Sequence, residues 1–157
     1  MDSVPIDTPI IWVGLLVISA TVLGSVLALP VVPPPDADRV AAVVDSVAAS
    51  DRTGGREVPI SATQQIKVDA TTVSLRGRGG TAHATFYYGP VVPVTPTGPL
   101  QPVLHGAPPQ TAFRNPTAFE QSLNRAGSAG GEWERAIGPL VVRRVSFGEV
   151  NGVLVGQ

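Results

Sequence analysis

His83 and His105 are the only two histidines in the 157 residues, and there is no cysteine. A structural zinc site takes about four nitrogen, sulfur or carboxylate ligands, so two imidazoles in unlike settings fall short of one. Serine, histidine and aspartate all occur, as they do in any chain of this length. The strained Gly-x-Ser-x-Gly turn that would expose a nucleophilic serine is absent. Arg76-Gly-Arg78-Gly-Gly80 has the glycine content of a phosphate-cradling loop. It lacks the Lys-Ser/Thr ending and a following helix pattern, and reads as a basic hairpin turn. Arg143-Arg144 places two cations on opposite faces of an extended segment, an arrangement that could grip an acidic partner. Phe86, Tyr87 and Tyr88 follow His83 closely, and aromatic side chains anchor interfaces, although Phe86 is equally a core residue. His83, Tyr87, Tyr88, Arg143 and Arg144 are therefore the candidate interaction surface. No catalytic, cofactor-binding or metal-binding residue is expected, and the chain does not read as an enzyme.

The totals narrow the partners. Of twelve acids only Asp2 and Asp7 precede residue 36, which leaves ten acids against all eleven bases after it. So balanced a count gives no electrostatic footprint for nucleic acid. Ten of the eleven bases are arginine, with Lys67 the exception, a pattern of coding bias more than of a site. Sixteen prolines and seventeen glycines forecast short elements joined by many turns.

These residues must be carried by elements, and the longest pattern is apolar. Residues 10–29, IIWVGLLVISATVLGSVLAL, contain no charge. Twenty helical residues span roughly 30 Å, the thickness of a bilayer's hydrocarbon core. The expectation is an uncleaved single-pass transmembrane helix within residues 1–29, with Trp12 near one interface. A cleaved signal would want a basic leader, and no Lys or Arg precedes Arg39. Pro30 and Pro33-Pro34-Pro35 make residues 30–35 an extended spacer. Flanking bases are too few to orient the span.

Residues 36–157 read as a soluble α+β domain, a small antiparallel sheet covered by two short helices. Asp36 or Asp38 caps a helix over residues 39–50, with Val40, Val43, Val44, Val47 and Ala48 on one stripe. Residues 65–69, 72–76 and 81–88 alternate as a three-stranded meander. Prolines between residues 89 and 109 exclude a central strand. Asn115-Pro116 starts a second helix, stopped at Gly127. Residues 140–147 and 150–155 pair as a hairpin, with Asn151-Gly152 as a turn dipeptide. Trp133 would lid a small core.

Three stretches carry a resemblance: GGTAHATFYYGPVVPV at residues 79–94, VDSVAAS at 44–50 and LVVRRVS at 140–146. With them the chain resembles a small family of haloarchaeal membrane proteins of unknown function, similar in design to accessory, pilin-like components of type IV pilus or secretion systems. That resemblance implies a membrane-anchored, non-enzymatic structural or assembly component of the cell envelope. It would be held in the cell membrane by one span, with the soluble domain outside. Its partners would be the lipid bilayer and other envelope proteins, with no cofactor and no nucleic acid. The alternative is a tethered ligand-binding or sensor domain with a pocket lined by Phe86, Tyr88 and Trp133.

Overall fold

Asp36 caps the helix that follows it. In the computed structural model its side chain accepts from the Arg39 N–H at 2.9 Å, satisfying one donor that the first turn leaves unpaired. The structure describes residues 12–20 and 32–157. It divides into one unit at residues 1–32 and another at 33–157.

The described part of the first unit is helix α1, residues 12–20. This corrects the single-pass transmembrane helix expected within residues 1–29. Among the described residues no helix is long and apolar enough to cross a membrane. Residues 10–11 and 21–29 of the apolar stretch, with Pro30 and Val31 of the spacer, lie outside the described residues.

The second unit is α+β, but it has two sheets where one was expected. Helix α2 (Ala37–Ala48) precedes strands β1 (Gly54–Val58), β2 (Gln65–Val68), β3 (Thr72–Gly77), β4 (Gly80–Thr85) and β5 (Val92–Val94). Single helical turns α3 (Gln101–Leu104) and α4 (Pro109–Ala112) lead into α5 (Pro116–Ala129). Strands β6 (Glu134–Arg135), β7 (Leu140–Phe147) and β8 (Val150–Gly156) complete the chain order. The first sheet runs β1-β7-β8-β5 and the second β4-β3-β2-β6. All pairings are antiparallel except β5 with β8.

The hairpin explains why there are two sheets. Leu140, Val142, Val153 and Val155 of β7 and β8 enter one core, together with α2 and the inner residues of the second sheet. Val145 and Leu154 enter another core with Leu104, Phe113, Phe119 and Leu123 of the helical segment. The runs Leu140-Val-Val142 and Val153-Leu-Val155 are apolar without alternation, the pattern of strands covered on both faces. A hairpin of that kind cannot extend a one-faced meander, and becomes the middle layer instead.

Local chemistry sets the details. Helix α2 buries Val40, Val44, Val47 and Ala48 as expected, and adds Ala37 and Ala41 to the stripe. It packs on β1 and β7 of one sheet and on β3 and β4 of the other. The meander β2-β3-β4 forms with Ile66, Val68, Val73 and Leu75 inward. Pro93 lies in β5, an edge strand, where a missing N–H is tolerated. Residues 101–104 close as a helical turn with Pro102 in its first positions. Helix α5 starts at the Asn115 cap but runs through Gly127 to Ala129, ending at Gly130 with φ of 69°. The β7–β8 turn is Gly148-Glu149 rather than Asn151-Gly152, because Phe147 pairs with Val150. Gly148 adopts φ of 62°, which a side-chain-bearing residue takes only at a cost. Gly152 instead lies within β8, where Leu123 of α5 covers it.

Leu154 is fully buried on the helix-covered face and Leu140 on the opposite one. We expect Leu140→Ala and Leu154→Ala each to cost about 2–5 kcal/mol in urea unfolding, with additive losses in the double variant. A loss confined to one of them would mean that the hairpin is covered on one face only.

Candidate interaction surface

Alternation along β2, β3 and β4 turns Gln65, Lys67, Ser74, Arg76, Thr81, His83 and Thr85 away from the core. This outer face is built in cross-strand rows. Thr81, Arg76, Gln65 and Arg135 are paired in sequence across four strands, and one row along, His83 faces Ser74 and Ser74 faces Lys67. Ser74 is buried, and its hydroxyl shares a 2.6 Å hydrogen bond with Nδ1 of exposed His83. Among the described residues His83 has no carboxylate partner, so the pair does not extend to a triad.

Trp133 is held on the same face. The Arg76 guanidinium carbon lies 4.3 Å from the centre of the Trp133 ring, within cation–π range. Trp133 therefore packs under an arginine, not over a small core. The segment that carries it is fixed by Gly131, whose N–H donates to Asp69 Oδ1 at 2.9 Å. Asp69 Oδ2 also pairs with Lys67 Nζ at 3.2 Å. A Cβ on Gly131 would overlap the Val68 carbonyl oxygen. Only glycine lets the chain pass β2 so closely and reach β6.

Beyond Thr85 the chain leaves the sheet, so the strand expected over residues 81–88 stops three residues early. Phe86 turns into the core, its N–H bonded to the Thr71 carbonyl at 2.9 Å. Tyr87 is 92% exposed and Tyr88 58% exposed. Both backbone N–H groups donate to Asp45 Oδ1 of α2, at 2.9 and 3.0 Å. One carboxylate thus replaces the ladder partners that β4 no longer supplies, and presents both phenol rings at a fixed corner.

Arg143 and Arg144 lie on opposite faces of β7, as their adjacency requires. Arg144 Nη1 donates to the Ala48 carbonyl in the last turn of α2, where carbonyls lack helical partners. Arg143 lies beside Gly106, between α3 and α4. Asp45 and Ala48 are three residues apart on one helix and are surface neighbours. The structure therefore gathers Tyr87, Tyr88 and Arg144 around the C-terminal half of α2. His83 stands on the outer sheet face and Arg143 against the helical turns.

Phe86 is buried in the core, Tyr88 is exposed beyond the end of β4, and Trp133 lies against Arg76 of β3. The cleft that does open between the sheets, about 300 Å³, is lined by Ile66, Val68, Leu140 and Val155, with Glu134 and Gln157 as polar groups. Among the described residues no group of three His, Cys, Asp or Glu side chains could hold a metal ion.

Asp45, Gly131 and Arg135 were not singled out by sequence reasoning. Asp45 stands on the expected polar face of its helix, but its two N–H partners are more than forty positions away. Gly131 is one glycine among seventeen.

A family model described as a family of unknown function (DUF7283) matches residues 3–145. The chain belongs to that family. No curated protein and no solved structure matches it. The match takes in α1, the sheet face, the tyrosine corner and Arg143-Arg144, so these are parts of the family's own domain.

Gly131→Ala is expected to cost at least about 2 kcal/mol and to expose Trp133 to a soluble quencher. Asp45→Ala should cost about 1 kcal/mol and speed hydrogen exchange at the Tyr87 and Tyr88 amides, leaving β3 amides protected. Unchanged exchange at the two tyrosines would show that the corner is held by something other than Asp45.

Proposed function

We propose that this chain is a non-enzymatic structural or assembly component of a cell-envelope system, acting through residues 33–157 as a binding module. The observation that carries the reading is the tyrosine corner. Two phenol rings stand exposed while their backbone is pinned by Asp45, and rigid, exposed aromatic side chains are what interface anchors require. The neighbouring sheet face is not covered by any helix of the domain and presents Arg76 on Trp133.

The envelope setting has a separate support. Trp12, Val13, Leu15, Leu16, Val17 and Ile18 of α1 are each more than half exposed. Apolar surface of that kind is completed by an apolar partner. A pilus-like or secretion-associated setting, with the domain outside the cell, is the finer part of the proposal. It rests on the resemblance of residues 44–50, 79–94 and 140–146 to haloarchaeal proteins.

The test is photo-crosslinking in the native host from a reactive analogue at Tyr87, with Glu120 on exposed α5 as the control position. The expected result is one dominant envelope protein crosslinked from residue 87 and not from residue 120. Equal, diffuse labelling from both positions would overturn the reading.

A further inference from the structure

One end of the second sheet carries three arginines that the chain brings from two distant segments. Arg76 is on β3, Arg78 is in the two-residue turn to β4, and Arg135 is on β6, nearly sixty positions away. Gln65 pairs with Arg76 on one side and with Arg135 on the other, so the two cations flank one glutamine in a single row. At ordinary strand spacing their backbones stand about 10 Å apart. Together with Thr63 and Gln64 they line an open groove of about 500 Å³ with no carboxylate in its walls.

No cation in this groove is paired with a carboxylate among the described residues. The single ion pair among the described residues is Lys67–Asp69. Arg76 rests on Trp133, while Arg78 and Arg135 are exposed and make no side-chain hydrogen bond among the described residues. Elsewhere the fold does employ arginine, as with Arg144 on the Ala48 carbonyl. Three unneutralised guanidinium groups at one end of a near-neutral domain form a local positive field, and guanidinium binds carboxylate through paired N–H donors.

The geometry points to this groove as the docking site for an extended acidic segment of a partner protein, two or three carboxylates being engaged by Arg135 and Arg76 across the row and by Arg78 at the turn beyond it. The inference rests on the reading of the domain as a binding module, and names the chemistry of one partner. A lone phosphate is disfavoured because Arg76 and Arg135 stand on strands separated by β2, and the glycine turn leads into a strand and not a helix N-terminus. Single-stranded nucleic acid is disfavoured because the indole beside the groove is already covered by Arg76 and is not a free platform for bases.

Trp133 is the built-in reporter. The chain has two tryptophans, so the full-length Trp12→Phe protein emits from Trp133 alone. An anion that draws the Arg76 guanidinium from the ring changes that emission. Titration with hexaglutamate should give a saturable change that weakens as salt rises. The Arg78→Gln/Arg135→Gln pair should lower the affinity about tenfold, the effect of losing two exposed charge pairs. The Arg114→Gln/Arg125→Gln pair, an equal charge change at exposed positions elsewhere, should leave it unaltered. No response to hexaglutamate, or equal loss in both pairs, overturns the inference. Tighter binding of inorganic phosphate or of an oligonucleotide also overturns it, in favour of that ligand. Crosslinking from Tyr87 that persists after any of these failures keeps the wider reading, since the two experiments probe different surfaces.

Discussion

Burial of the β7–β8 hairpin on both faces is the constraint from which the rest of the domain follows. Two adjacent strands with apolar side chains pointing both ways cannot stand at a surface. One face is satisfied by α2 and the inner side of β2-β3-β4, the other by α3, α4 and α5. The second face shows how closely the demand is met. Phe119 contacts Phe113 at 5.3 Å and Phe147 at 6.2 Å between ring centres, in tilted arrangements that aromatic quadrupoles favour. The proline-rich segment between β5 and α5 is needed because this face has to be covered by something short and turning.

Helix α2 has a second task besides filling the core. It packs on strands of both sheets, and its last turns collect groups from each: the Tyr87 and Tyr88 amides from the chain leaving β4, and the Arg144 guanidinium from β7. These bonds use polar groups that would otherwise compete for water, the side chain of Asp45 and the unpaired carbonyl of Ala48. Recognition residues are thereby tied to the same helix that holds the layers together, and the exposed rings gain fixed positions without being buried.

Legibility in the sequence followed the range of the forces involved. Local patterns were readable: the Asp36 and Asn115 caps, the stripe of α2, the alternation of β2 and β3, and the edge position that Pro93 imposes. The α+β class came from these. What escaped was decided across the chain. The ending of β4 at Thr85 depends on Asp45 of a different element, and the meeting of Arg135 with Arg76 depends on how Gly131 passes Val68. Asn151-Gly152 has the composition of a turn, but pairing of Phe147 with Val150 puts the turn at Gly148. The apolar stretch at residues 10–29 reads as a span on length and hydropathy, whereas among the described residues no helix is long and apolar enough to cross a membrane.

The manner in which the two sheets end has a consequence for assembly. Every sheet edge exposes a row of backbone donors and acceptors that another strand could join. Here β1 and β4 lie against α2, β5 lacks an N–H at Pro93, and β6 is only two residues long and carries Arg135. Two of the four edges therefore offer little ladder, which limits the backbone through which crowded copies of this domain could exchange strands.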